Sequence, residues 1–317
     1  MIESMKVVSV SCCVCESSEA EVVGAGYDFE YHTSPDVFYA HKCGQCGLVY
    51  LNPRPDVAEF ERIYPPTYHS LDFSQEDYGF IHEVRSRLES KRLLDYCHGA
   101  PDDARILDVG CGDGFHLKLL QKNGASNWTL EGVDVDRRAV EVAGRTGLRI
   151  YHGALEQLDL EANSYDVVYC IQTIEHVEAP DALFQAVYRI LKPGGTFAIV
   201  TDNTDSLDFG LFKRRHWGGY HFPRHWNLFN KKSISCLAEA TRSYVFRLKT
   251  IVSPVNWVFS FHNRLVDNNA PAWLINRFTL KSPLSLAVFT VLDNVFQKLG
   301  KGALLNALFA KPAPPTI

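Results

Sequence analysis

With 317 residues, 46% of them hydrophobic and 22% charged, the chain has the composition of a globular protein with one large domain and an appendage. Its net charge of -5 excludes a partner that needs a broad basic face, DNA above all. No long uncharged apolar run and no basic-then-apolar leader is present, so the expected location is the cytoplasm.

Taken from the front, "CCVC" and "KCGQC" place Cys12 and Cys15, then Cys43 and Cys46, as two C-x-x-C knuckles. Each tight turn aims two thiolates at one centre, and two such turns complete a tetrahedron, so residues 1–55 are read as a zinc ribbon with structural zinc. Cys13 is an extra thiol beside the first knuckle, and four buried reduced thiols are the plainer alternative. Pro53, Pro55, Pro65 and Pro66 then mark a linker over 56–100. Ile81, Val84, Leu88 and Leu93 recur at helical spacing and predict one helix before the main domain at 101–317.

"ARILDVGCGDGFHLKLL" reads as strand, glycine loop and helix, with Gly110, Gly112 and Gly114 letting backbone N–H groups approach a ligand. "LEGVDVD" is a second strand that ends in Asp134, a carboxylate placed to accept hydrogen bonds from ribose hydroxyls. "RIYHG", "YDVVYCI" and "TFAIVTDN" supply strands three to five, and "DALFQAVYRIL" a helix that the turn "KPGG" ends. Alternating strands and helices predict a doubly wound parallel α/β sheet.

The ordered set "LDVGCGDG", "GVDVD", "YDVV", "IEHV" and "RILKPGG" resembles the class I S-adenosylmethionine-dependent methyltransferases over about residues 104–203. The resemblance implies a seven-stranded Rossmann-like sheet with S-adenosylmethionine as methyl donor. It assigns Asp108, Gly110 and Gly112, with Cys111 between them, to the methionine end. Asp134, followed by Val135, falls to the ribose, Ala154 and Leu155 to the adenine, and Gln172 to the side of the methionine. Relatives often carry an aspartate where Ala154 stands, so the resemblance does not carry over the usual side chain for a hydrogen bond to the adenine amino group.

Strand five leads into "GYHFPRHWNLF", Gly219–Phe229, which lies beyond the carboxyl ends of the strands where ligands bind. It resembles, more loosely, a His-rich motif of zinc-ribbon sugar methyltransferases. His225 and His221 are expected as acid–base groups, and Trp217, Tyr220 and Arg224 as contacts to the acceptor. His176 of "IEHV", a pair shared with quinone-pathway O-methyltransferases, is the competing base. A histidine titrating near neutrality suits removal of a hydroxyl proton.

"YVFRLKTIVS" and "ALLNALFAKP" predict strands six and seven, the last antiparallel, around a strongly apolar helical insertion at about 254–300. The insertion reads as a cap over the site. Peripheral contact with a membrane surface, or an acceptor that is lipid-linked, is the sharper alternative. The expected reaction is methyl transfer to a small molecule, chiefly O-methylation of a sugar, glycolipid or secondary metabolite. C-methylation of a keto-sugar, RNA modification and a non-catalytic binding role are the rivals. Nothing in the sequence sets the oligomeric state.

Overall fold

The computed structural model describes residues 4–65, 68, 75–241 and 243–313. In chain order the elements are β1 (Val7–Val8), β2 (Ala20–Gly26), β3 (Phe38–Cys43), β4 (Val49–Leu51), β5 (Arg54–Pro55), α1 (Phe60–Ile63) and α2 (Gln75–Tyr96). Then follow β6 (Arg105–Val109), α3 (Phe115–Asn123), β7 (Thr129–Asp134), α4 (Arg137–Gly144), β8 (Arg149–His152), β9 (Tyr165–Ile171), α5 (Pro180–Ile190) and β10 (Leu191–Asp202). The chain continues through α6 (Leu207–Phe212), β11 (Asn227–Leu228), α7 (Lys231–Ala240), β12 (Tyr244–Ile251), α8 (Val255–Asp267), α9 (Ala272–Ile275), α10 (Pro283–Lys298) and β13 (Leu304–Ala310).

A seven-stranded sheet runs β12-β13-β10-β9-β6-β7-β8, with β13 antiparallel to both neighbours and the remaining pairs parallel. Strand alternation gives it two apolar faces. Val168 and Cys170 of β9 join Phe184 and Ile190 of α5 and Leu237 of α7 on one face. Val167, Tyr169 and Ile171 join Leu93 of α2 and Leu117 of α3 on the other. Strand order reverses between β6 and β9, so the loops after these two strands open a crevice at their carboxyl ends.

Several local readings change in three dimensions. The turn expected at "KPGG" is absorbed into β10 as an irregularity, with the register shifting between Leu191 and Thr196. The predicted helix over Ile81–Tyr96 is present, but Val84 and Leu88 face solvent. The contact of α2 with the main core comes from Leu93 and Tyr96 near its end. Asp136, which reads as a solvated turn residue, caps α4 by accepting from the Arg138 N–H at 2.9 Å.

The N-terminal unit shares a sheet with the rest of the chain. Its sheet runs β11-β4-β3-β2, and β11 comes from the His-rich segment after β10. Cys12, Cys43, Cys46, Leu48 and Tyr50 belong to the same buried cluster as the main sheet. A second, aromatic cluster joins Phe38 and Val49 of this unit to Trp217, Tyr220 and Phe222, and onward to Trp257 of α8 and Phe289 of α10. The insertion therefore packs over the His-rich segment as a helical cap.

Candidate active site

The loop after β6 is shaped by its glycines. Gly110, Gly112 and Gly114 all have positive φ (74°, 54° and 79°), a region costly for side-chain-bearing residues. A Cβ on Gly110 would come within 2.3 Å of the Thr173 side chain, so the loop after β9 lies directly on the loop after β6. Asp134 ends β7 and ties the loop after β6 to the loop after its own strand: its Oδ2 accepts from Gly112 N–H at 2.9 Å and its Oδ1 from Asp136 N–H at 2.8 Å. Burial raises the Asp134 pKa despite these bonds. Asp108 is buried, and one of its carboxylate oxygens has no hydrogen-bond partner. Burial, with the charge of Asp134, lifts its pKa well above the carboxylate range. An orphaned buried oxygen beside an open glycine loop suits a ligand with a donor or positive charge.

The other expected cofactor residues divide. Gln172 sits at φ 51° immediately after β9, and its side-chain amide donates to Glu175 at 2.5 Å. Val135 is exposed beside Asp134, and Ala154 is half-buried after β8. Leu155 points its side chain into the main core. The thiol of Cys111 is buried against Gly132, and burial pushes its pKa up. It is a packing group in a tight loop.

The three histidines converge. The ring of His225 lies 4.6 Å from that of His176 and 5.0 Å from that of His221, centroid to centroid. His225 Nδ1 is 2.8 Å from the Gly219 carbonyl and 3.2 Å from Asp202 Oδ2. The carbonyl can only accept, so Nδ1 carries the proton and Nε2 is left as the basic atom. Burial opposes a charge on His225, but the Asp202 hydrogen bond and charge, with Glu175 behind them, outweigh it and raise its pKa. His176 behaves in the opposite way: burial and the neighbouring histidines hold its pKa well below the usual value. Its Nδ1 lies 2.8 Å from the Tyr64 hydroxyl and 3.2 Å from the Arg224 carbonyl. His221, at φ 38°, places Nδ1 2.7 Å from Glu30 of the N-terminal unit.

The acceptor contacts expected from Trp217, Tyr220 and Arg224 take a different form. All three are essentially inaccessible. Trp217 donates its indole N–H to Asp208 at 2.6 Å, and the Tyr220 hydroxyl bonds the Lys213 carbonyl. Arg224 makes a two-pronged ion pair with Asp28 (3.1 and 3.0 Å) and stacks on Tyr31. Burial raises the Asp28 pKa, but the Arg224 bond and charge overcome this and lower it to about 2. Such a buried pair fixes the backbone on either side of it.

Four site residues escaped sequence reasoning. Asp202 ends β10 just as Asp134 ends β7, a parallel that could have singled it out. Glu175 is fully buried, accepts from Gln172 and Thr201, and is raised to about 7, mainly by burial. Asp28 and Glu30 carry no sequence signal, because the loop between β2 and β3 reaches the site only through the fold. On the outer side, Glu30 and Tyr31 join Phe259, His262, Leu280 and Lys281 of the insertion around an open cleft of about 490 Å³.

The zinc expectation meets suitable geometry. One sulfur from each of Cys12, Cys15, Cys43 and Cys46 lies within 4.8 Å of the others. Cys12 and Cys46 are 3.4 Å apart, as are Cys15 and Cys43. These spacings are close to the ~3.8 Å edge of a tetrahedron with bonds of about 2.3 Å. Cys13 turns away and donates to Asn227 at 3.1 Å, with burial raising its pKa to about 12.

Residues 80–241 match the family described as methyltransferase domain, which is half of the chain. This chain belongs to the methyltransferase-domain family. Among curated relatives, the ubiquinone biosynthesis O-methyltransferase of Xanthomonas axonopodis is 31% identical over 147 residues, 44% of this chain and 58% of that protein. The corresponding protein of Leptothrix cholodnii is 34% identical over 36% of this chain and 50% of its own length. The sterol 24-C-methyltransferase of Neurospora crassa is 35% identical over 34% of this chain and 31% of its own. The chain thus spans about half the length of the first of these relatives. Among solved structures, the geranyl diphosphate C-methyltransferase of Streptomyces coelicolor superposes with a TM-score of 0.51 at 12% identity, covering 78% of this chain and 83% of that one. At that identity the likeness shows the fold, which is the class I sheet expected.

Proposed function

We propose that the chain transfers a methyl group from S-adenosylmethionine to an oxygen of a small-molecule acceptor, with His225 as the base. The observation that carries this reading is the Asp202–His225 pair, set at the carboxyl edge of the sheet that holds the glycine loop. The sulfonium supplies an already activated methyl carbon. The acceptor oxygen attacks that carbon in line, the carbon–sulfur bond breaks with its electron pair going to sulfur, and the hydroxyl proton passes to His225 Nε2. Asp202 stabilises the resulting imidazolium, as an oriented carboxylate does beside other catalytic histidines. His176, kept neutral by burial, is the weaker base and serves to position Tyr64 and the Arg224 backbone.

The donor rests on Asp108, the Gly110–Gly112 loop, Asp134 and Gln172. The cleft beside Glu30 and the helical insertion receives the acceptor. Its mixed lining, Phe259 and Leu280 with Glu30, His262 and Lys281, suits an acceptor with polar and apolar parts, such as a glycolipid, a prenylated phenol or a decorated sugar. Relatives are named for O-methylation in ubiquinone synthesis and for C-methylation of a sterol. C-methylation of a keto-sugar is the second reading, since the same histidine would remove a carbon-bound proton. Zinc at Cys12, Cys15, Cys43 and Cys46 is structural, with all four positions filled by thiolates and none left for substrate.

The test is a methyl-transfer screen over sugars, phenols and lipids, with the product resolved by mass spectrometry and NMR. His225→Ala should lower turnover by about 10²–10⁴ with donor affinity unchanged. Full activity in that variant together with loss in His176→Ala would reassign the base.

A further inference from the structure

Helix α10 is apolar on both faces, although only one of them is covered. Phe289 is buried, and Leu286, Leu292 and Phe296 pack with it into the aromatic cluster around Trp257. On the opposite side Leu284, Val288, Val291, Val295 and Leu299 are each between 53% and 71% exposed. At 100° per residue these five lie within about 80° of one another and form a continuous stripe along the helix. Trp273, on α9, the helix that precedes α10 in the chain, is 65% exposed.

The stripe has a one-sided electrostatic frame. The last 50 residues, 268–317, hold five cations (Arg277, Lys281, Lys298, Lys301 and Lys311) and a single carboxylate, Asp293. Asp293 is buried, where it accepts from Ser253, Trp257 and Ala303. The rest of the chain carries nine more carboxylates than cations. Lys281 precedes the stripe and Lys298 and Lys301 flank its last residue, Leu299, so both ends of the apolar face are cationic.

We propose that this face of α10, with Trp273 and the lysines at its ends, docks the protein on an anionic lipid surface. A span is ruled out by length: 16 residues rise about 24 Å, short of the ~30 Å hydrocarbon core, and among the described residues no helix is long and apolar enough to cross. An apolar stripe, an aromatic side chain and flanking lysines are what a helix lying in the headgroup boundary needs. A second copy of the chain fits less well. Pairing α10 with its own copy, in either direction, brings lysine-bearing ends together with no exposed carboxylate on the helix to answer them. The acceptor cleft shares Lys281 with this region, so a docked molecule would present the cleft beside the lipid surface.

The test uses the full chain and flotation with vesicles of phosphatidylcholine alone or mixed with phosphatidylglycerol, and it involves no methyl transfer. Failure of the acid–base reading would therefore leave its result untouched. The expected result is binding to the mixed vesicles that weakens as salt rises. The double variant V288E/V291E should bind more than about tenfold more weakly, since two apolar side chains lose their burial in lipid. Lys298→Glu should bind about fivefold more weakly or worse. Both sites are on the surface, so unchanged circular dichroism and thermal midpoint will show that the variants are folded. No flotation at low salt, or equal flotation by the double variant, overturns the proposal. A concentration-dependent dimer that V288E/V291E dissolves would also overturn it, by assigning the face to a second copy.

Discussion

Replacing Asp202 by asparagine isolates what the carboxylate does for His225. Asparagine keeps the shape of the side chain and can still accept the Asn256 bond that Asp202 Oδ1 accepts at 2.7 Å. The Gly219 carbonyl remains 2.8 Å from His225 Nδ1, so the tautomer survives the change. What is lost is the negative charge 3.2 Å from the ring and the acceptor that carries it, because the amide nitrogen takes the place of Oδ2. A hydrogen bond to a charged group contributes about 1.5–3 kcal/mol, which corresponds to a fall of roughly 10–10² in the rate when His225 is neutral at the start and charged in the transition state. The loss should be smaller than the ~10⁴ seen where such a change also misplaces the proton. The pH profile gives a second readout. His225 must be neutral to act, so the rate of the unmodified protein rises with pH through a value above that of an ordinary histidine. In Asp202→Asn the opposing effect of burial prevails and the rising limb moves to lower pH. The assay is kcat/KM for methyl transfer across the pH range, with donor affinity measured by calorimetry. Superimposable profiles and rates would refute the pairing of Asp202 with the base.

Three other changes probe the surrounding structure. Asp28→Ala strands Arg224 in a fully buried position and should destabilise the fold by about 3–5 kcal/mol, read by denaturant titration; a change near zero would show that the pair is dispensable. In the unmodified protein the contribution of this pair is fully present above the usual aspartate value of about 3.9 and is lost as pH falls toward about 2, because the folded-state value is depressed. Asp134→Ala should weaken binding of S-adenosylmethionine by ~1.5–3 kcal/mol and loosen Gly112, which its carboxylate holds; unchanged affinity in calorimetry removes Asp134 from the site. Cys12→Ser should cost the protein its zinc while Cys13→Ser keeps it, as read by elemental analysis, because Cys13 is committed to Asn227.

What the sequence revealed follows from the range of the interactions involved. Strand, glycine loop and terminal carboxylate recur within about thirty residues, so β6, β7 and the position of Asp134 were legible locally. Strands six and seven were legible too, and the pairing of β13 between β10 and β12 agrees with the expectation of an antiparallel last strand. The acceptor side was not legible. Arg224 was expected as a substrate contact from its place in the His-rich segment, whereas its partner Asp28 lies 196 residues away. Glu30 meets His221 across a similar separation, through a loop whose own sequence is unremarkable. Asp202 was hidden for another reason. It stands at the end of an apolar strand where the family pattern assigns nothing, and only the fold of Gly219–His225 back over that end gives it a role.

These long-range contacts decide what zinc should do for catalysis. Cys43 ends β3, and Cys46 follows in the next turn, so the thiolates clamp one end of the β2–β3 hairpin. The loop at its other end, about 17 Å along the strand, carries Asp28 and Glu30 to Arg224 and His221. Along the way β2 lies against the stretch that leads into the His-rich segment and against its Tyr220. Ala25 N–H donates to the Arg214 carbonyl at 3.0 Å, and Gly24 leaves no room for a Cβ beside Tyr220. Zinc bound there would lie too far away to touch an acceptor, yet it would fix the strand that packs beside the histidines. The donor site depends on it much less, because the glycine loop and Asp134 are anchored in the main sheet. Stripping zinc with a chelator should therefore lower the melting temperature and turnover together, while S-adenosylmethionine still binds with nearly its original affinity. Calorimetry on the stripped protein, beside a turnover assay, measures both. Loss of donor affinity in parallel with turnover would mean that the metal supports the whole fold, and retention of both would mean that the hairpin stands without it.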